Sequence, residues 1–248
     1  MKTNLTKAAV AGLTALVMGN AAAQESVSKP VGYETLSYSA GFSYLGIRLH
    51  NAPLLSGAVE SVSGADVTLS EGGGDSLVPG AVHLFEVTSG DSAGAVVTFT
   101  PADNSDVVTL DEDISDNLFN PDEFIIRPAA TVASVFGLEN DVANDGDGLV
   151  STGSFATSDQ IWLPNGMGGF IKYAFVQGNP LLGTPSGWQD IDGTVIDAAT
   201  TPLVYTDGIV IRAAASGGDL VVTGSVKTEP VSLALTSKFT YAGSVYPV

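Results

Sequence analysis

Short runs of Val, Ile, Thr, Tyr and Phe, broken every few residues by Gly, Asn, Asp or Pro, fill this chain from about residue 42 onward. That spacing restricts the fold. A helix needs a sustained 3.6-residue periodicity, whereas β-branched and aromatic runs bounded by turn formers read as strands. The segments that fit are 42–49, 58–63, 66–69, 82–88, 95–100, 107–110, 123–127, 160–163, 170–176, 208–212, 220–227 and 239–245. Gly64-Ala65 predicts a two-residue hairpin between two of them. Residues 219–227 alternate, with Leu220, Val222, Gly224 and Val226 on one face. Helical periodicity is confined to one turn over 131–137, ended by Gly137 as a C-cap. The pattern predicts an all-β protein, an antiparallel β-sandwich or β-barrel-like fold. An outer-membrane barrel would need longer alternating strands and aromatic girdles, and only 8% of these residues are aromatic.

The first residues read as a secretory signal. Lys2 and Lys7 precede an apolar run from Ala8 to Met18, and Ala21-Ala22-Ala23 offers the small residues of a cleavage site. The run is shorter than the roughly 20 residues that span a bilayer. Cleavage after Ala23 removes two of the nine basic residues and none of the 27 acidic ones, leaving a net charge of −20 over 225 residues. The expected divisions are a signal peptide over 1–23, an N-terminal β unit over 24–128 and a C-terminal β unit over 129–248. The acidic stretch 102–123 and Pro128 mark the split. A short echo joins the two ends: Phe42-Ser43-Tyr44-Leu45-Gly46 parallels Phe239-Thr240-Tyr241-Ala242-Gly243.

Charge and composition narrow the partners and the chemistry. So acidic a surface repels nucleic acid phosphates and anionic membranes. The absence of cysteine removes thiol catalysis, cysteine zinc sites and disulfides, and a chain of this size can bury enough apolar surface without them. His50 and His83 are the only histidines, so a three-histidine zinc site is impossible and a Ser-His-Asp arrangement has little to draw on. No Gly-x-Ser-x-Gly elbow is present. His83, beside Leu84 and Phe85, reads as a residue at the sheet surface or a satisfied core histidine. Gly72-Gly73-Gly74 and 166–169 lack the Lys-Ser/Thr of a phosphate loop and read as mobile hairpin tips.

Several stretches together resemble an uncharacterised family of secreted β-rich proteins typical of the Verrucomicrobia and related bacteria. They are Pro30-Val31-Gly32-Tyr33, Phe124-Ile125-Ile126-Arg127-Pro128 leading to Thr131–Gly137, Ser158-Asp159-Gln160-Ile161-Trp162, Gly169-Phe170-Ile171-Lys172-Tyr173, Gly187-Trp188 and Tyr246-Pro247-Val248. The resemblance implies export and a β-rich fold, and brings no activity, cofactor or site residue. It departs at 207–212, where such proteins carry a Pro-Gly-x-Gly approach to the strand.

Two features carry candidate binding chemistry. The loop 139–148 is rich in hard oxygen ligands, with Asp141, Asp145 and Asp147 as candidate calcium ligands. With Gly146 at the sixth position of an EF-hand, Ala143 and Thr152 occupy positions that need ligands, so that template fails. A looser calcium loop and a solvated turn both remain compatible with the pattern. Asp111, Glu112, Asp113, Asp116, Asp122 and Glu123 form a second acidic group. Trp162, Tyr173, Phe175 and Trp188 are the candidate aromatic platform for sugars, with Trp188 in a Gly-Trp-Gln-Asp turn the expected exposed member; in strands such rings equally fill a core. Arg127 is expected to pair with an acid at a sheet edge.

The functional expectation is a non-enzymatic, exported structural or adhesive protein of the cell envelope or extracellular matrix, with a soluble carbohydrate-binding module as the alternative. No cofactor is expected beyond calcium. A glycan, an envelope or matrix protein, or a second copy are the candidate partners, and the periplasm, cell surface or extracellular space the location.

Overall fold

The computed structural model describes residues 31–70, 72–137, 149–179, 181, 183, 185–229, 231–233 and 240–244. The expected signal peptide and the Asp141, Asp145 and Asp147 loop lie outside the described residues. The chain enters through β1 (Val31–Tyr38), β2 (Gly41–Leu45) and β3 (Leu49–His50). Then follow β4 (Leu55–Ser63), β5 (Asp66–Leu69), β6 (His83–Val87), β7 (Val96–Phe99), β8 (Val107–Thr109) and β9 (Glu123–Pro128). A short β10 (Ala130–Thr131) leads into α1 (Val132–Phe136). The remaining strands are β11 (Gln160–Pro164), β12 (Phe170–Val176), β13 (Gly187–Asp190), β14 (Pro202–Leu203), β15 (Ile209–Ala213) and β16 (Gly218–Val226). The protein is all-β and antiparallel, as the strand signals predict.

Strands β4 to β9 make one six-stranded sheet in the order β7-β6-β9-β4-β5-β8. A bridge between Phe99 and Leu110, with Asp111 N–H donating to Thr98 O at 2.9 Å, joins its two ends and nearly closes it into a barrel. Closure of this kind covers the edges that an open sheet exposes. Phe85, Phe99, Phe124, Leu69 and Ile126 fill the interior. The β4–β5 turn is the two-residue hairpin expected at Gly64-Ala65, with Ser63 paired to Asp66 and Gly64 at φ +61°.

A sandwich stands beside the barrel. Its larger sheet runs β13-β12-β11-β15-β2 and its smaller one β1-β16-β3. Ile161, Ile211, Phe175 and Trp188 from the first meet Leu36 and Leu220 from the second in one core. The sheets therefore cut across the expected boundary at residue 128. β2 pairs with β15, and both β1 and β3 pair with β16, so residues 31–50 join the C-terminal strands.

Local chemistry explains the connections. α1 is the predicted single turn: Thr131 Oγ1 accepts from Ser134 N–H at 3.2 Å, Ser134 Oγ accepts from Thr131 N–H at 2.8 Å, and Gly137 caps the end. Residues 166–169 form the β11–β12 hairpin tip, with Asn165 N–H donating to Gly169 O. Residues 72–74 do not form a mobile tip. Gly73 and Gly74 are buried, and the Asp106 carboxylate accepts from the Gly72 and Gly74 N–H groups at 3.2 and 2.7 Å. A side chain at Gly74 would collide with the backbone of Asn104 and Ser105. The expected turn at Gly187–Asp190 is instead β13, an edge strand paired to β12.

Candidate functional site

The outer face of the five-stranded sheet carries a strip of aromatic side chains. Strand alternation places Phe42 and Tyr44 of β2, Val210 and Arg212 of β15, and Trp162 of β11 on the side away from the core. Tyr44 is paired to Val210, Val210 to Trp162, and Trp162 to Lys172 of β12, so these four form one row across the sheet. Phe42 and Arg212 are paired in the next row. Phe42 is 55% and Tyr44 71% exposed, fractions that a core ring never reaches.

The rings touch in sequence. Phe42 meets Trp162 edge-on at 5.1 Å, Trp162 meets Phe170 at 5.8 Å, and Phe170 meets Tyr241 at 4.3 Å. Lys172 Nζ sits 4.1 Å from the Trp162 ring centre, a cation over the negative face of the ring. Trp162 Nε1 donates to Gln160 Oε1 at 2.9 Å, which fixes the indole plane.

Tyr241 carries the strip into a cleft of about 690 Å³ between barrel and sandwich. Asp91, Asp111, Glu112, Thr206 and Asp207 line it, with the 166–169 tip on one side. The Asp207 segment is held by backbone bonds to the C-terminal stretch, Gly208 N–H to Tyr241 O and Gly243 N–H to Thr206 O. Burial pushes the Asp207 carboxyl up to about 6. Asp111 is a hydrogen-bonded turn residue, accepting from Thr98 Oγ1 at 2.6 Å.

The described ends of the two echo segments meet here, at Gly46 and Gly243. A side chain at Gly46 would strike Ser244 N at 2.6 Å, so the end of one segment lies directly against the end of the other.

A second polar cluster lies buried where the barrel meets the sandwich. Glu86 accepts from Arg127 Nε at 2.5 Å and Nη2 at 3.0 Å, and from Lys227 Nζ at 2.6 Å. Arg127 Nη1 donates to Asn51 O at 2.9 Å. Tyr205 lies beneath Lys227, and the His50 ring meets Tyr205 at a tilt, with centroids 4.2 Å apart. Burial alone would raise the Glu86 carboxyl, but the hydrogen bonds and charge of Arg127, then Lys227, hold it below its ordinary value. Both oxygens of the Glu86 carboxylate are taken up by the two cations, which marks the ion cluster as a tie between the two halves.

The predicted residues divide accordingly. Trp188 is not exposed: at 2% exposure it is a core ring, edge-on to Phe175 at 6.0 Å, with Nε1 donating to Gly137 O at 2.8 Å. β13 turns its Trp188 inward, so no ring face is left for a sugar. Phe175 is buried and Tyr173 packs on the same core, whereas Trp162 alone of the four lies on the outer face. Arg127 pairs with an acid as expected, but in a central strand and fully buried rather than at an edge. His83 is a core histidine, stacked on Phe99, with Nδ1 2.8 Å from Ala81 O. Asp113 and Asp122 cap turns through Ser115 N–H and Phe119 N–H. Among the described residues, no three His, Asp or Glu side chains gather as metal ligands, and no helix is long and apolar enough to cross a membrane.

Phe42, Tyr44, Phe170 and Tyr241 were not among the candidates. The Phe-Ser-Tyr alternation in β2, and its parallel near Tyr241, was the available signal. Comparison with protein-family models, with curated proteins and with solved structures finds no match.

Proposed function

We propose that this protein is an exported, non-enzymatic component of the cell envelope or extracellular matrix that holds polysaccharide on the outer face of its five-stranded sheet. The observation that carries this reading is the strip itself. Phe42 and Tyr44 are largely exposed, and they continue through Trp162 and Phe170 to Tyr241 at the mouth of the cleft. Sugar rings present C–H faces that rest on aromatic faces while their hydroxyls stay hydrated or reach polar side chains. A flat, rigid sheet face suits an extended chain because little order has to be imposed on binding.

Export is supported by the signal-like start at 1–23 and by the resemblance to secreted β-rich proteins. The reading joins the adhesive role and the carbohydrate-binding role, since attachment to a matrix requires something to hold.

A glycan array tests it. Binding by the purified chain, lost in Tyr44→Ala with the fold intact, supports the proposal. No binding to any glycan contradicts it. Turnover of a bound glycan, abolished by Asp207→Asn, would replace it with a hydrolase, for which a carboxyl titrating at about 6 is suited as an acid.

A further inference from the structure

Basic side chains are scarce here, and their placement is uneven. Five lie among the described residues: Arg48, Arg127, Lys172, Arg212 and Lys227. Arg48 pairs with Glu34, and Arg127 and Lys227 both pair with Glu86. Lys172 and Arg212 make no ion pair with a described carboxylate, and both stand on the aromatic strip. Lys172 lies over Trp162, in the row that ends at Tyr44. Arg212 is paired to Phe42, and its Nη1 donates to Ala156 O at 3.3 Å, which steadies the guanidinium beside the exposed ring. Neither row contains an acidic residue.

Resting on the glycan-binding reading above, we propose that the strip selects polysaccharides whose sugars carry carboxylate groups, with Lys172 and Arg212 as the specificity-determining residues. The chain as a whole carries −18, which opposes any polyanion at long range. Charges are screened beyond about 8 Å at physiological salt, so a sugar lying on the Tyr44 and Phe42 rows meets Lys172 and Arg212, while the cleft carboxylates stand at the Tyr241 end of the strip. Arg212 offers a planar fork that matches a carboxylate with two hydrogen bonds, and Lys172 a point charge held in place by the indole. A neutral sugar gains only the stacking contribution. A uronic acid gains stacking and a charge-assisted hydrogen bond at one position.

The test compares polygalacturonate with the same polymer after chemical reduction of its carboxyl groups, by affinity electrophoresis of the full chain. The unaltered protein is expected to bind the acidic polymer at least about tenfold more tightly than the reduced one. Lys172→Gln with Arg212→Gln is expected to erase that preference, bringing the ratio of the two affinities to about one. Lys172→Arg is expected to keep it. Should the double variant melt early, the two single variants decide, each losing part of the preference.

Equal binding of both polymers, or a preference that survives the double substitution, overturns the inference and leaves the glycan-binding reading standing. Binding of neither polymer overturns this inference, and the glycan array then decides the broader one. Binding of a single-stranded oligonucleotide as tight as that of polygalacturonate also overturns it, because the strip would then recognise anions without regard to the sugar.

Discussion

Glu86 and Lys227 are 141 residues apart in the chain and 2.6 Å apart in space, each about 1% exposed. Arg127 completes the cluster from the neighbouring strand β9, as the diagonal cross-strand partner of Glu86. One carboxylate thus binds the barrel to the segment that leaves the last strand of the sandwich. Buried ion pairs add little net stability over apolar residues of the same shape, but they fix which surfaces meet, because any other pairing strands a charge.

Removing one member is therefore predicted to cost far more than removing all three. Glu86→Gln leaves two buried cations without a counter-charge and should cost about 3–5 kcal/mol, a fall in Tm on the order of 10 °C. Replacing Glu86, Arg127 and Lys227 together by Leu, Met and Met should recover most of that loss, as read by thermal melts at neutral pH. The same carboxyl sets an acid limit. Its folded pKa lies below the ordinary 4.5, so its stabilisation is complete above that value and is lost as the pH falls through the folded pKa.

Asp207 has the opposite sign. Burial raises its carboxyl from 3.8 to about 6, so the folded state binds this proton more readily than the unfolded chain does. Its contribution is whole below 3.8 and is lost as the pH rises through 6. Asp207→Asn should therefore be more stable than the unaltered protein at pH 7, with the difference vanishing near pH 4. Urea midpoints at several pH values measure this directly.

Trp188 and Tyr44 should separate stability from binding. Trp188→Ala empties a core site between Phe136 and Phe175 and is predicted to cost about 3–5 kcal/mol. Tyr44→Ala removes a ring that is 71% exposed and should leave the urea midpoint within about 0.5 kcal/mol of the unaltered protein.

Much of the fold was legible because local signals agreed with the final packing. The strands 66–69 and 170–176 and the Gly64-Ala65 turn sit where alternation and turn chemistry put them. β1 escaped notice because only Leu36 and Tyr38 near its end are buried, and its exposed first half carries no alternation against a core. β13 was read as a turn because a single tryptophan among polar residues gives no periodicity, and only pairing with Phe175 shows which way it faces. The strip was half legible. A ring's chemistry is written in the sequence, but whether Trp162 or Trp188 meets solvent depends on which sheet covers it. Glu86 was invisible for the same reason, since its two partners come from segments that only the tertiary fold brings together.

Trp162 gives the most direct measurement of the central claim, that the aromatic strip binds glycan. Trp188 is buried in the core, so the solvent-sensitive part of the intrinsic fluorescence comes from Trp162. Titrating a bound polysaccharide should shift that emission to shorter wavelength and protect it from acrylamide quenching, with saturation. Phe42→Ala with Tyr44→Ala should weaken the midpoint by about tenfold, equivalent to about 1.4 kcal/mol. A polysaccharide that binds without altering Trp162 emission or quenching, and equally well to the double variant, would contradict the account.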